Sequence, residues 1–291
     1  MGREQGTCGF RAWPEDAGGD ELDCLQRFTR LCVNASARGW HEANGGNLSC
    51  RLTEDDIAIR ESLLCADAEW HALGRSVPDL AGAHFLISAS GAYLSNVAYD
   101  PLHSCGIIEI NDDGSAWRKR WGLADGSRPS SELETHLAAY ATALQAGDGA
   151  DCVIYHAHCP HVIALSSLIE PSTRVWTRTL WRIMTEGIIV LPQGVGALPW
   201  MVPGSHELAE ATCELMTTHV ACVWAHHGVM VRAASFDDAF GIVDTIEKSA
   251  GIYLQACAAS GGAEPRYLVS DEQLRAICAR YELQPDESFL K

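Results

Sequence analysis

Asn111-Asp112-Asp113-Gly114 lies between two runs of β-type residues, 105–110 and 115–121, and turn chemistry in that position makes a hairpin. A hairpin obliges its two strands to run antiparallel. Further runs with strand character occur at 48–52, 84–88, 152–155, 187–191 and 220–224, with an extended piece at 229–231. Stretches of helical spacing separate them. Asp20 is placed to cap a helix whose apolar positions are Leu22, Leu25, Phe28, Leu31, Cys32 and Ala35, with Gly39 as its stop. After Pro129, Ser130-Ser131-Glu132 opens a helix carrying Leu133, Leu137, Tyr140, Ala141 and Leu144. Either serine suits the N-cap there, and Glu132 suits the helix dipole. Short helices follow Pro160 and span 176–184, and Ser205 caps another over 206–219. Phe236, Phe240, Val243, Ile246 and Ala250 make a stripe along 235–259, and 269–281 is a last amphipathic helix. Residues 54–83 read as an irregular excursion, and 192–203 as a long loop rich in Gly and Pro. This order describes an α/β protein, and its hairpins argue against a purely parallel, doubly wound sheet. With no repeat and no low-complexity linker, residues 20–291 read as one domain, a central, mainly antiparallel sheet flanked by helices. Residues 1–19 read as a flexible leader.

A formal net charge of −17 argues against nucleic acid or an anionic membrane as partner. A phosphorylated metabolite remains possible, provided that local donors hold it. No apolar run approaches the roughly 18 residues of a membrane-spanning helix. Arg3, Glu4, Arg11, Glu15, Asp16 and Asp20 punctuate the N-terminus, which therefore lacks the apolar region of a secretory signal. The 12 cysteines are scattered without a C-x-x-C pair, a pattern expected of reduced thiols in a cytosol.

The chemistry-bearing residues gather around His156-Ala157-His158. The run 152–155 reads as a buried strand, its start marked by Gly149 and Asp151, and alternation puts His156 and His158 on one face at its end. Two imidazoles so placed suit a single metal ion, and a hydrogen-bonded histidine pair is the structural alternative. A third ligand should come from another strand end. His226 and His227 stand at one, before Gly228, which permits close backbone approach; alternation alone allows either. His103, His136, His161, His206 and His219 fall on predicted loops or helices and are not read as ligands. Glu132 and Glu186 are the acidic candidates for general acid–base work. Asn44-Gly45-Gly46-Asn47 and Ser88-Ala89-Ser90-Gly91 are turns rich in donors, able to receive an anion or simply to reverse the chain.

As a set, these residues resemble the zinc-dependent class II aldolases of the fuculose-phosphate aldolase and ribulose-phosphate epimerase superfamily. The matching blocks are Asn44-Gly45-Gly46-Asn47-Leu48, Ser90-Gly91, Ser131-Glu132-Leu133, His156-Ala157-His158, Thr185-Glu186, a long one from Gly194 to Gly204, His227-Gly228-Val229, and another from Asp244 to Ala250. The Leu198-Pro199-Trp200-Met201-Val202-Pro203-Gly204 loop resembles the rhamnulose-phosphate branch in particular. The resemblance implies a class II aldolase-like fold and one Zn2+ per subunit on His156, His158 and His227. It implies Glu132 as catalytic acid/base and Glu186 as a second carboxylate reaching the site of a neighbouring subunit. It makes Asn44, Gly46, Asn47, Ser90, Gly91, Ser130 and Ser131 a phosphate cradle. The implied reaction is reversible cleavage of L-rhamnulose 1-phosphate to dihydroxyacetone phosphate and L-lactaldehyde, in a cytoplasmic homotetramer. The nearest alternatives are an aldolase for L-fuculose 1-phosphate or a pentulose-phosphate epimerase, and outside enzymes a zinc-stabilised binding protein. No Schiff-base lysine is required; Lys119, Lys248 and Lys291 are the chain's lysines. Two departures stand out. Arg182, Ile183 and Met184 precede Glu186 where the family has smaller or acidic residues, and His226 replaces an aromatic.

Overall fold

The computed structural model describes residues 23–66, 68–147 and 152–290. Its strands are β1 (Asn47–Arg51), β2 (Trp70–Ala72), β3 (His84–Ser88), β4 (Cys105–Ile110), β5 (Ala116–Gly122), β6 (Val153–Ala157), β7 (Gly196–Leu198), β8 (Ala221–Trp224) and β9 (Gly228–Ala233). The 111–114 turn closes the β4–β5 hairpin as its side chains dictate: Asp113 Oδ1 accepts from the Ser115 N–H at 2.9 Å, and Asn111 Oδ1 from that of Ala116 at 3.0 Å. All nine strands form one sheet in the order β2-β5-β4-β3-β1-β6-β9-β8-β7. Every neighbouring pair is antiparallel except β7–β8.

Alternation along the strands divides the interior in two. The helices are α1 (Cys24–Ala37), α2 (Glu54–Ala58), α3 (Pro101–Ser104), α4 (Leu133–Gln145), α5 (Pro160–Leu165), α6 (Thr173–Ile183), α7 (Glu186–Val190), α8 (His206–Met216), α9 (Phe236–Ala259) and α10 (Asp271–Tyr281). Leu48, Val153, Tyr155, Val229 and Val231 face α1, α5, α6 and α9, where Phe28, Leu31, Val162, Trp176 and Ile246 complete a core. Ile87, Ile154, Trp224 and Met230 face the opposite way, onto Leu137 and Tyr140 of α4 and Leu208 and Met216 of α8. Helices on both faces of a single sheet make this the one-domain α/β architecture expected.

Several local expectations are corrected. Asp23 caps α1 in a capping box with Gln26, whereas Asp20 had been expected there; Asp20 and Leu22 lie outside the described residues, as do 1–19, Gly149 and Asp151. Residues 187–191, expected as a strand, are mostly the helix α7, which packs on α6, α9 and α10. A short apolar run has no period of its own, so tertiary neighbours decide its form. Within the supposed loop 192–203, β7 adds a parallel edge to β8, and within 54–83 lie α2 and the edge strand β2. Neither Ser130 nor Ser131 is the N-cap of α4. Glu132 holds that position, and Ser130 Oγ accepts the Glu132 N–H at 3.2 Å from two residues earlier. Cys65 is disulfide-bonded, contrary to uniformly reduced thiols, while Cys24, Cys32, Cys50 and Cys159 are buried free thiols.

Candidate metal centre and its surroundings

Antiparallel pairing sets opposite ends of neighbouring strands side by side, so the ends of β3, β6 and β8 meet the beginnings of β1 and β9 at one rim of the sheet. The register places Asn47 opposite His156 and Ala157 opposite Val229. The segments that carry Asn47, Ser90, Glu132, His156, His158 and His227 arrive at this rim, and Glu186 does not.

His156, His158 and His227 offer ring nitrogens that all lie within 4.8 Å of one another. His156 leaves β6 toward α4 and α8, and its ring packs on Trp224 at a centroid distance of 4.6 Å. The β8–β9 turn delivers His227 rather than His226. His226 takes a left-handed backbone (φ 60) that costs a non-glycine residue about 1 kcal/mol or more, its N–H donates to Ser166 Oγ at 2.8 Å, and its side chain is exposed. The next residue then turns back over Trp224, at 5.2 Å between ring centroids. His103, His136, His161, His206 and His219 stay out of the cluster.

Hydrogen bonds fix which nitrogens face inward. His156 Nδ1 lies 3.1 Å from the Val229 carbonyl, which can only accept, so Nδ1 carries the proton and Nε2 keeps its lone pair. His158 Nδ1 donates to Glu42 Oε1 at 2.7 Å, with the same consequence. The two Nε2 atoms then stand 3.1 Å apart with lone pairs opposed, an arrangement that a cation between them converts from repulsion to attraction. Two nitrogens on a tetrahedral zinc ion with bonds of about 2.0–2.1 Å lie about 3.3 Å apart. His227 Nδ1 is buried without a hydrogen-bond partner, a further sign of a site shaped for an ion. Burial, and then the neighbouring His158 and His227, holds His156 well below the usual imidazole range. Burial and then His158 bring His227 down to about 4. Neutral imidazoles are the form that binds metal, and the residues fit the group.

Carboxylates steady this arrangement from outside. Burial pushes Glu42 upward, but the hydrogen bonds from His158 and from its own backbone N–H, with the nearby His158 and His41 rings, together outweigh it, and its carboxyl is held below the ordinary range. Glu247, buried in α9, accepts the N–H groups of His161 and Val162 at 3.0–3.1 Å and the His161 ring at 2.7 Å. It thereby caps α5, whose own Cys159 has no capping side chain, and anchors the chain three residues beyond His158. The 44–47 turn fits equally closely. A Cβ on Gly45 would sit 2.7 Å from His158 Nδ1, and Gly46 has φ +74 with the His156 carbonyl 2.8 Å from where its Cβ would stand. Gly228, as expected, lets β9 begin against the Ala157 carbonyl.

Glu132 faces the same rim from the start of α4. It is buried, and its Oε2 accepts from Asn47 Nδ2 at 2.9 Å. Burial raises its carboxyl above the ordinary range, against the opposing pull of the Asn47 bond and of His158. The Ser90-Gly91 turn and residues 128–131 are stitched together: Ser130 N–H donates to the Ser88 carbonyl at 2.9 Å and Ser90 N–H to that of Arg128 at 2.8 Å. Ser90, Ser130 and Ser131 line a cavity of about 530 Å3 with Arg75, Arg128 and Ser205. Two arginines were not foreseen in this strongly acidic chain. Asn44 is exposed, and the Asn47 side chain is engaged with Glu132. Glu186 is exposed at the first turn of α7 and does not join the histidines. Glu42, Glu247, Trp224 and the arginines were missed in the sequence; only Glu247 lay inside a block that hinted at function.

Comparison with known proteins accords with this geometry. Residues 26–254 match the class II aldolase and adducin N-terminal domain. The chain belongs to the class II aldolase family. It is 37% identical over 267 residues to the rhamnulose-1-phosphate aldolase of Pectobacterium atrosepticum, covering 92% of this chain and 96% of that one. The rhamnulose-1-phosphate aldolase of Escherichia coli is 36% identical over 266 residues, 91% of this chain and 96% of its own length. Among solved structures, a sugar-phosphate aldolase from Thermotoga maritima superposes with a TM-score of 0.69 at 25% identity, covering 83% of this chain and 97% of that one. L-Fuculose-1-phosphate aldolase from Thermus thermophilus shares the fold, with a TM-score of 0.54 at 20% identity over 81% and 95% of the two chains.

Proposed function

We propose that this aldolase reversibly cleaves L-rhamnulose 1-phosphate to dihydroxyacetone phosphate and L-lactaldehyde. The observation that carries the reading is the convergence of His156, His158 and His227 beside Glu132, in a chain that aligns with rhamnulose-1-phosphate aldolases over nearly its whole length. His156, His158 and His227 would hold one Zn2+, which when bound supplies Lewis-acid polarisation of the ketose carbonyl. Glu132, partly desolvated and held by Asn47, takes and returns the proton of the three-carbon fragment. Glu186 from a neighbouring subunit, or a water, serves the aldehyde oxygen. The exposed place of Glu186 away from its own histidines supports a homotetramer in which subunits complete one another's sites. Asn44, Gly46, Ser90, Gly91, Ser130 and Ser131 hold the phosphate through neutral donors, with Asn47 at their border, and Arg128 stands nearby at the cavity that three of these serines line. A phosphorylated ketose does not cross a bilayer, which supports a cytosolic location; no helix among the described residues is long and apolar enough to cross a membrane.

Product analysis tests the reading. L-Rhamnulose 1-phosphate, L-fuculose 1-phosphate and L-ribulose 5-phosphate are offered to the metal-loaded and the chelated enzyme. Dihydroxyacetone phosphate is expected from the first, in preference to the second, and only with metal. Turnover that survives rigorous chelation sinks the proposed role of the three histidines, and borohydride with substrate should trap nothing.

A further inference from the structure

A buried chain of side chains leads away from Glu132 and ends inside the α4/α8 core. Asn47 Nδ2 donates to Glu132 Oε2 at 2.9 Å, and Asn47 Oδ1 is bonded to His136 Nε2. His136 Nδ1 lies 2.7 Å from Ser49 Oγ, which lies 2.9 Å from the Tyr140 hydroxyl; that hydroxyl also reaches the Cys152 carbonyl at 3.2 Å. Asn47, Ser49, Glu132, His136 and Tyr140 are all buried, and His136 is completely so.

The polarity of this chain follows from what each atom can do. An ionised Glu132 only accepts, so Asn47 must present its NH2 to it and turn its carbonyl oxygen to His136. That oxygen also only accepts, so His136 carries its proton on Nε2 and accepts through Nδ1 from the Ser49 hydroxyl; the one Tyr140 proton is then shared between Ser49 Oγ and the Cys152 carbonyl, the two acceptors within its reach. Burial brings His136 down to about 3, so at neutral pH it is a neutral ring with a single N–H to give. If that donor were missing, nothing would distinguish the two ends of the Asn47 amide. It could turn over and set its oxygen against the Glu132 carboxylate. Resting on the reading of Glu132 as the proton-moving group, we propose that His136 is a positioning residue for the reaction. By donating Nε2–H to Asn47 it orients the amide that holds the Glu132 carboxylate in place.

Three variants are compared with the metal-loaded wild type: His136→Leu, His136→Gln and Glu132→Gln, each checked for zinc content and melting temperature. His136→Leu should lower kcat at least tenfold while changing KM less than about threefold. It should also move the acid limb of the kcat profile to higher pH, because the bond that favours ionised Glu132 is weakened. His136→Gln, which can place an amide N–H near the lost Nε2, should recover most of kcat and the original limb. Wild-type kcat and limb in a folded His136→Leu overturn the proposal. So do equal losses in both His136 variants with an unmoved limb, since these describe packing alone. Should His136→Leu fail to fold, the 15N shifts of the wild-type ring decide: a proton on Nε2 from pH 6 to 8 is required, and one on Nδ1 overturns the proposal. Glu132→Gln separates the two layers, because turnover that survives there removes the underlying reading of Glu132 whatever the His136 variants do.

Discussion

Toward α1, α5, α6 and α9 the central strands present Leu48, Tyr155, Val229 and Val231, an apolar surface closed by Phe28, Val162 and Ile246. Toward α4 and α8 the same strands present Asn47, Ser49 and His156, and the helices answer with Glu132, His136 and Tyr140. One residue of alternation separates the two surfaces. The first removes apolar area from water and asks nothing of geometry beyond packing. The second buries polar groups, each of which must find a partner or a ligand to justify its desolvation. Stability and chemistry are therefore expected to separate along the plane of the sheet.

Glu132→Gln gives the sharpest separation. Turnover should fall by about 10²–10⁴-fold, the usual scale of acid–base catalysis, with zinc content and melting temperature preserved; parallel loss of folding would erase the contrast. On the other face, Ile246→Ala should cost about 2–5 kcal/mol of stability in urea unfolding yet leave kcat per folded molecule unchanged. A change in kcat there would show that the two sides are mechanically coupled. Glu42→Gln weakens the partner of His158, and metal affinity by competition with a chelator should fall about 10–100-fold. Unaltered affinity would make the Glu42 contact incidental.

Acid provides the mildest probe. Burial brings His41 to about 4 and His136 to about 3, from an ordinary 6.5. The unfolded chain takes up those protons at a higher pH than the folded one. Stability is thus fully present above about pH 6.5 and is lost on acidification toward the folded values, by about 1.4 kcal/mol per pH unit for each group. Unfolding of the metal-free protein below pH 6.5 should show this loss, to which the depressed His156 and His227 add, and a flat profile contradicts the burial of these rings.

Local patterns in the sequence were enough for elements that declare themselves. The 84–88 strand, the 111–114 hairpin and the long α9 each rest on alternation, turn residues or a capping serine contained within a few positions. The stretch 187–191 carries no period, and its helix is imposed by α6, α9 and α10. Of the site, the histidines were visible because strand alternation pairs two of them and resemblance selects the third. Glu42 and Glu247 were not, since their partners lie 116 and 85 or 86 residues away and nothing local announces them.

The pairing of Asn47 with His156 carries an evolutionary consequence. Inserting or deleting one residue inside β1 or β6 would rotate everything beyond it by half a turn, sending Asn47 or the imidazole into the oily side of the molecule. Indels across these two strands should therefore be purged from the descendants of this gene. Divergence in substrate preference must proceed by substitution at the rim, at fixed spacing.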